Sequence, residues 1–192
     1  LELKWALGCP YNCSWCYLRG TLRHYPRKKS PTYRDYNIIE LDVRRFFRVT
    51  YPSEGEILNT GEVADSLMSE VTNEPFSKFI IPLFETQGKH KVLFLTKGIY
   101  VKNLLDITPH NQAVISFSLN AEPVASRWEV APSVKERIKA AKKVFEAGYE
   151  TRIRIDPIVP YPEGEWQKHY KELVDMVFSE FFPERVTLGS LR

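Results

Sequence analysis

The chain alternates strand-like and helix-like segments, and that alternation limits its fold more than any other feature. The runs LELKWAL, GEILNT, HKVLFLT, AVISFSL, YETRIRIDPIV and RVTLGSL are rich in Val, Ile, Leu and Phe and are bounded by Gly, Pro or Asn. Between them, IIELDVRRFFRV carries apolar side chains at Ile38, Leu41, Phe46 and Val49. SVKERIKAAKKVFEAG opens with Ser133, has Glu136 three residues on and stops at Gly148, while EWQKHYKELVDMVFSEFF precedes the last run. Strands joined through helices predict a parallel sheet with right-handed crossovers. An open doubly wound sheet and a barrel, or part of one, both satisfy that rule.

The turn after the first run separates the two. A dinucleotide-binding open sheet puts a glycine-rich turn there. This chain puts GCPYNCSWC there, with Cys9, Cys13 and Cys16, and these are all the cysteines in its 192 residues. An odd count with no distant partner excludes a complete disulfide framework and predicts a reducing, cytoplasmic compartment. Barrel enzymes collect their chemistry at the C-terminal ends of the strands, which is where this loop begins. The chain is 43% apolar and 27% charged, and no run is long enough to span a bilayer, so neither disorder nor a membrane partner is expected. Leu1 in first place and a strand-like run at the C-terminal end predict that residues 1–192 form one domain cut from a longer chain.

Three thiolates spaced C-x3-C-x2-C leave several chemistries open. Structural zinc takes four protein ligands, and the nearest fourth is His24, eight residues after Cys16. A redox C-x-x-C leaves Cys9 unused. A four-iron cluster normally takes four thiolates. Three would hold three irons and leave the fourth open to a small chelating molecule, such as the amino and carboxylate groups of a methionine. The spacing alone thus allows an enzyme, a non-catalytic nucleic-acid-binding module holding zinc, or an iron–sulfur electron-transfer module.

The phrase C-x3-C-x-aromatic-C after a first strand resembles the radical S-adenosylmethionine (SAM) superfamily. The resemblance implies a [4Fe-4S] cluster on Cys9, Cys13 and Cys16, SAM on its open iron, and an external electron donor. Trp15 holds the aromatic position that in that superfamily lies against the adenine. NTGE resembles the superfamily's Gly-Gly-Glu motif, so Thr60, Gly61 and Glu62 would accept from the methionine ammonium; with one glycine kept, a strand-ending turn explains the phrase equally well. Lys97 ends the third run, where its charge suits the methionine carboxylate, and Ser118 in SFSLN would reach a ribose hydroxyl. Asn120, Glu122 and Arg127 follow at the same end of the sheet.

Longer phrases narrow the resemblance. CSWCYL, NTGEVADSL, SFSLNAE, SVKERIKAAKKVFEAGY, DPIVPY and TLGSLR, in that order, are similar to the spore photoproduct lyase family, also described as DNA repair photolyase-like, from residue 1 to residue 192. The likeness implies a partial TIM barrel of six strand–helix units, the radical SAM core. It also implies repair of a methylene-bridged thymine dimer in DNA by hydrogen abstraction. The segment RGTLRHYPRKK, with Arg19, Arg23, Arg27, Lys28, Lys29 and Tyr25, suits phosphates and exposed bases, and equally a solvated loop; a net charge of +3 does not decide. One position departs from the family. A cysteine at the end of the second strand there gives hydrogen to the product radical, and Asn59 stands in its place. An amide N–H bond is too strong for that role. Tyr17 matches the tyrosine that assists the relay, so Tyr17 and Asn59 are the catalytic candidates of a lyase-like enzyme whose own reaction is expected to differ.

Overall fold

The computed structural model describes residues 1–11, 13–21, 31–48 and 55–190. Its elements run β1 (Ala6–Leu7), α1 (Leu18–Thr21), β2 (Thr32–Tyr33), α2 (Tyr36–Arg48), β3 (Ile57–Asn59), α3 (Phe76–Phe84), β4 (Lys91–Thr96) and α4 (Lys102–Leu105). The second half continues with β5 (Ala113–Leu119), α5 (Glu122–Trp128), α6 (Val134–Glu146), β6 (Glu150–Ile158), α7 (Trp166–Glu180) and β7 (Arg185–Ser190). Strands β3 to β7 form one parallel sheet in sequential order, curled into a half-barrel with helices outside it. The central β5 is buried at all seven positions, as a strand covered on both faces must be. On β4, Val92 and Phe94 are buried, whereas Leu95 borders an open cavity on the concave side.

The six expected strands come out as five parallel ones. The N-terminal segment does run beside β3, with Leu3 N donating to Asn59 O at 2.8 Å and Asn59 N to Leu1 O at 2.9 Å, and with parallel bridges at Glu2–Asn59 and Gly8–Ala64. Its ladder breaks at Trp5, whose N–H turns to Leu3 O and whose carbonyl accepts from Arg34 N, so that β1 pairs antiparallel with β2 instead. The Trp5 ring explains the break. It is fully buried, stacks on Phe76 at 4.0 Å and donates from Nε1 to Thr60 O at 2.9 Å.

Helix α6 follows its sequence signals. Ser133 and Glu136 form a reciprocal capping box, and Gly148 leaves the helix at φ +92°. Helix α2 forms where expected but with another face inward: Ile39 and Val43 are buried, while Ile38 and Leu41 are exposed. Val49 lies outside the described residues. The burial sequence Ile39, Val43, then half-buried Phe46 and Phe47 keeps the i, i+4, i+7, i+8 spacing of one helical face, which Ile38 and Leu41 do not share. Helix α3, between β3 and β4, keeps the strand–helix alternation although Pro82 stands inside it, and its Phe76, Ile80, Ile81 and Phe84 fill the core. No helix among the described residues is long and apolar enough to cross a membrane.

Candidate active site

A cavity of about 430 Å³ opens at the C-terminal edge of the sheet, lined by all three cysteines. Trp15, Tyr17, Gly61, Glu62, Lys97 and Ser118 line it as well. The loop reaches this place through a turn at Gly8, which has φ +103° and donates its N–H to Val63 O at 2.9 Å. Cys16 N then donates to Cys13 O at 3.1 Å, and Ser14 N crosses to Trp128 O at 2.8 Å, which ties the loop to the end of α5. Trp15 follows the same tie and packs tilted on Trp128 at 5.7 Å.

The thiols are free and border the cavity. Burial pushes Cys9 up to about 12, and the Asp65 carboxylate adds to the shift, while the Tyr11 N–H opposes it. Burial also raises Cys13, against the pull of Lys97 and of the Val130 N–H. Backbone N–H groups aimed at sulfur are the partners that iron–sulfur thiolates use, and bound metal charge reverses the burial penalty on a thiolate. Among the described residues no three His, Cys, Asp or Glu side chains converge on one point that would hold a single ion. Three free thiols of one loop that border one cavity suit a cluster of several irons. His24 lies outside the described residues, as do Arg23, Arg27, Lys28, Lys29 and Tyr25; Arg19 is exposed on α1.

At the end of β3 the sequence-predicted residues separate. Thr60 is walled into the core, with its hydroxyl bonded to Leu93 O and Ser66 Oγ and its carbonyl taken by Trp5. It does not line the cavity. Gly61 does, and only glycine fits, since an added Cβ would stand 2.5 Å from Leu95 Cβ and 2.7 Å from Leu95 O. Asn59 caps this turn, accepting from Gly61 N at 2.9 Å and donating to Glu62 Oε2 at 3.2 Å. The Tyr17 hydroxyl donates to the Glu62 carbonyl and stands 3.5 Å from its Oε1, so Glu62 links Tyr17 to Asn59.

Behind Lys97 lies a charge network that the sequence reading missed. Lys97 Nζ donates to Ser118 Oγ at 2.7 Å and stands 3.4 Å from Glu129 Oε1. Arg137, 1% exposed, donates to Glu129 Oε2 at 2.6 Å, Ser118 O at 2.8 Å and Pro132 O at 2.9 Å. Two cations thus share one carboxylate, and the surplus positive charge sits on Lys97, which faces the cavity. Buried Asp65, which also borders the cavity, accepts from Thr96 Oγ1, Lys97 N and Leu67 N, and holds the start of the loop after β4. A signal for Arg137 existed: it falls on the same helical face as Val134, Ile138 and Ala141. Arg154 and Asp156 also line the cavity, and the alternation in TRIRID, a signal the sequence holds, puts them on one face of β6. Asn120, Glu122 and Arg127 do not line it; Asn120 is bonded to Pro157 O and Tyr170, and Arg127 lies over the Trp128 and Tyr161 rings.

Comparison with known proteins agrees with this architecture. The family model described as spore photoproduct lyase matches residues 2–188. Spore photoproduct lyase of Bacillus subtilis (strain 168) is 28% identical over 176 residues, which cover 90% of this chain and 49% of that protein. The Clostridium acetobutylicum enzyme is 26% identical over 177 residues, 90% of this chain and 50% of that protein. A solved spore photoproduct lyase complexed with dinucleoside spore photoproduct superposes with a TM-score of 0.80 at 26% identity, covering 91% of this chain and 50% of that one. The chain spans about half the length of the curated relatives it matches.

Proposed function

The chain belongs to the spore photoproduct lyase family, and from that premise we propose that it is the radical SAM core of an enzyme acting on a thymine lesion in DNA. The observation that carries the reading is the shared cavity: three cysteines of one loop face the Lys97–Ser118 pair across a single space of about 430 Å³. A [4Fe-4S] cluster with SAM on its open iron, reduced by an external donor, would supply a 5′-deoxyadenosyl radical that takes hydrogen from the substrate. Cys9, Cys13 and Cys16 hold the cluster, with the Tyr11 and Val130 N–H groups on the sulfurs. Lys97 meets the methionine carboxylate with the charge that Glu129 leaves over, and Ser118 meets a ribose hydroxyl. Gly61 and Glu62 receive the ammonium. Thr60 serves this turn through the core and makes no contact with ligand. Trp15, braced by Trp128, packs on the adenine. The N-terminal segment acts as the sixth rib of the partial barrel, which its bridges to β3 support.

Asn59 sets this chain apart within the family, whereas Tyr17 keeps the family's residue. Their common partner Glu62 supports Tyr17 as the residue nearest the product radical, but Asn59 gives no hydrogen atom. The reaction therefore ends with another donor. Arg19, Arg23, Arg27, Lys28 and Lys29 take the phosphates, so nucleic-acid affinity should fall steeply with salt, and neutralising Arg27, Lys28 and Lys29 together should flatten that slope. Free thiols and a reduced cluster fit a cytoplasmic setting. The deciding test is an anaerobic incubation of reconstituted protein with dithionite and SAM, analysed for 5′-deoxyadenosine and methionine. Cluster-loaded protein that forms neither would end the radical SAM reading.

A further inference from the structure

On the side of the sheet away from the cysteine loop, β6, next to the edge strand β7, sets Arg154 and Asp156 two residues apart and on one face, both lining the cavity. Arg154 Nε and one terminal nitrogen donate to the same Asp156 oxygen, Oδ2, at 3.1 and 2.5 Å. Among the described residues the other terminal nitrogen and Asp156 Oδ1 have no hydrogen-bond partner. Gly189 of β7 makes room for the carboxylate, because a Cβ there would stand 2.6 Å from both its Cγ and its Oδ1. The side chains remain 40% and 28% exposed.

Register says what this pair serves. Arg154 lies beside Ser118 of β5, and Lys97 at the end of β4 is bonded to Ser118. One rung of the sheet therefore runs Lys97, Ser118, Arg154, with roughly 10 Å, two strand spacings, between the Lys97 and Arg154 backbones, and the Lys97 ammonium leans toward Ser118 between them. A ligand held by the cysteine loop and Lys97 leaves Arg154 and Asp156 for whatever fills the cavity beyond it. Charge then selects the ligand. An anion at Arg154 would also face the Asp156 carboxylate, so the pair is poorly suited to a phosphate. It is neutral overall and offers one donor beside one acceptor, which matches a neutral edge carrying a carbonyl beside an N–H.

We propose that Arg154 and Asp156 read the imide edge of the substrate's thymine ring, Asp156 accepting from the ring N3–H and Arg154 donating to the adjacent carbonyl. This rests on the thymine-lesion reading above, and adds the base-specific contact to it. No covalent step is assigned to either residue; both position the ring.

The test is equilibrium binding of synthetic dinucleoside spore photoproduct, which has no phosphate, to the cluster-loaded protein, with no turnover needed. Arg154→Gln and Asp156→Asn should each weaken binding by about 10- to 100-fold and leave SAM affinity unchanged. A lesion methylated at the ring N3 should bind the unmodified protein equally poorly, and should lose nothing further on Asp156→Asn. That arm needs no variant to fold. Unchanged dinucleoside binding by both variants overturns the proposal. So does a loss confined to the phosphate-bearing dinucleotide, or a loss of SAM affinity, which would assign the pair to phosphate or to the cofactor. Unmodified protein that binds no lesion at all overturns the thymine-lesion reading itself, an outcome distinct from binding to which the two residues are indifferent.

Discussion

At the β3 end of the cavity the thiols come from one short loop beside the Gly61–Glu62 turn, and Cys9 and Cys13 have backbone N–H groups as their neighbours. At the β6–β7 end the groups come from two strands, and Arg154 and Asp156 already hold each other. The contrast follows from protonation. A thiol can stay neutral, and burial that pushes Cys9 up to about 12 keeps it so. A guanidinium cannot lose its proton, so a partly buried one needs a carboxylate built in beside it. The far end is therefore organised by its own ion pair, whereas burial governs Cys9 and Cys13 at the cysteine end. Lys97, Glu129 and Arg137 lie between, an ion network short of one negative charge.

The largest effect should come from breaking the cysteine end. Cys13→Ala removes one of the three proposed cluster ligands, and iron and sulfide content should collapse together with the visible absorption of the cluster and SAM cleavage. An unaltered cluster spectrum would remove Cys13 from the ligand set. Next is the middle network. Arg137→Met strands a buried Glu129 carboxylate whose other cation, Lys97, is 3.4 Å from Oε1. Denaturant unfolding should show a loss of about 3–5 kcal/mol, largely recovered when Glu129→Leu is added. A loss below about 1 kcal/mol would mean that the network does not hold the wall in place.

The same contrast explains what could be read from the sequence. Cys9, Cys13 and Cys16 fall within eight residues, and their spacing narrows the chemistry to a few kinds of centre before any fold is known. Ser133 with Glu136, and the Val, Ile and Phe runs of β4 and β5, are local signals that the fold keeps. Arg137, Glu129 and the Arg154–Asp156 pair become a site only when the sheet curls, because their partners lie on other elements. Trp5 shows the same limit in the fold. LELKWAL has the pattern of a strand, but the Trp5 ring prefers Phe76 and the Thr60 carbonyl, and the ladder gives way. Thr60 was legible as the end of a strand, yet its side-chain direction, into Leu93 and Ser66, was not.

Lys97 tests whether the middle network serves the cysteine-end ligand or only the core. Lys97→Ala should weaken SAM binding by about 10- to 100-fold, the worth of a hydrogen bond to a charged group, while cluster content stays at the unmodified level. Stability should change little, because Glu129 keeps Arg137 at 2.6 Å and the pair is then neutral. Calorimetry showing unchanged SAM affinity would take Lys97 out of the site.

The smallest expected effect concerns Asn59, which belongs to neither end. Its side chain is spent on the turn, through Gly61 N and Glu62 Oε2, and does not line the cavity. Asn59→Cys gives up those two bonds, at a cost of about 1–2 kcal/mol in stability. In return it puts an S–H group beside Glu62, the residue that also holds the Tyr17 hydroxyl. The unmodified protein should cleave SAM yet return little clean thymine from dinucleotide spore photoproduct, the product radical being intercepted by solvent or dithionite. Asn59→Cys should raise the clean fraction, and Asn59→Cys combined with Tyr17→Phe should not, since the sulfur would then have no phenol to relay through. Product analysis by mass spectrometry in deuterated buffer separates the cases, because hydrogen delivered from an exchangeable S–H carries the label. Efficient clean repair by the unmodified protein would mean that another donor already completes the reaction and that Asn59 is simply the cap of a turn.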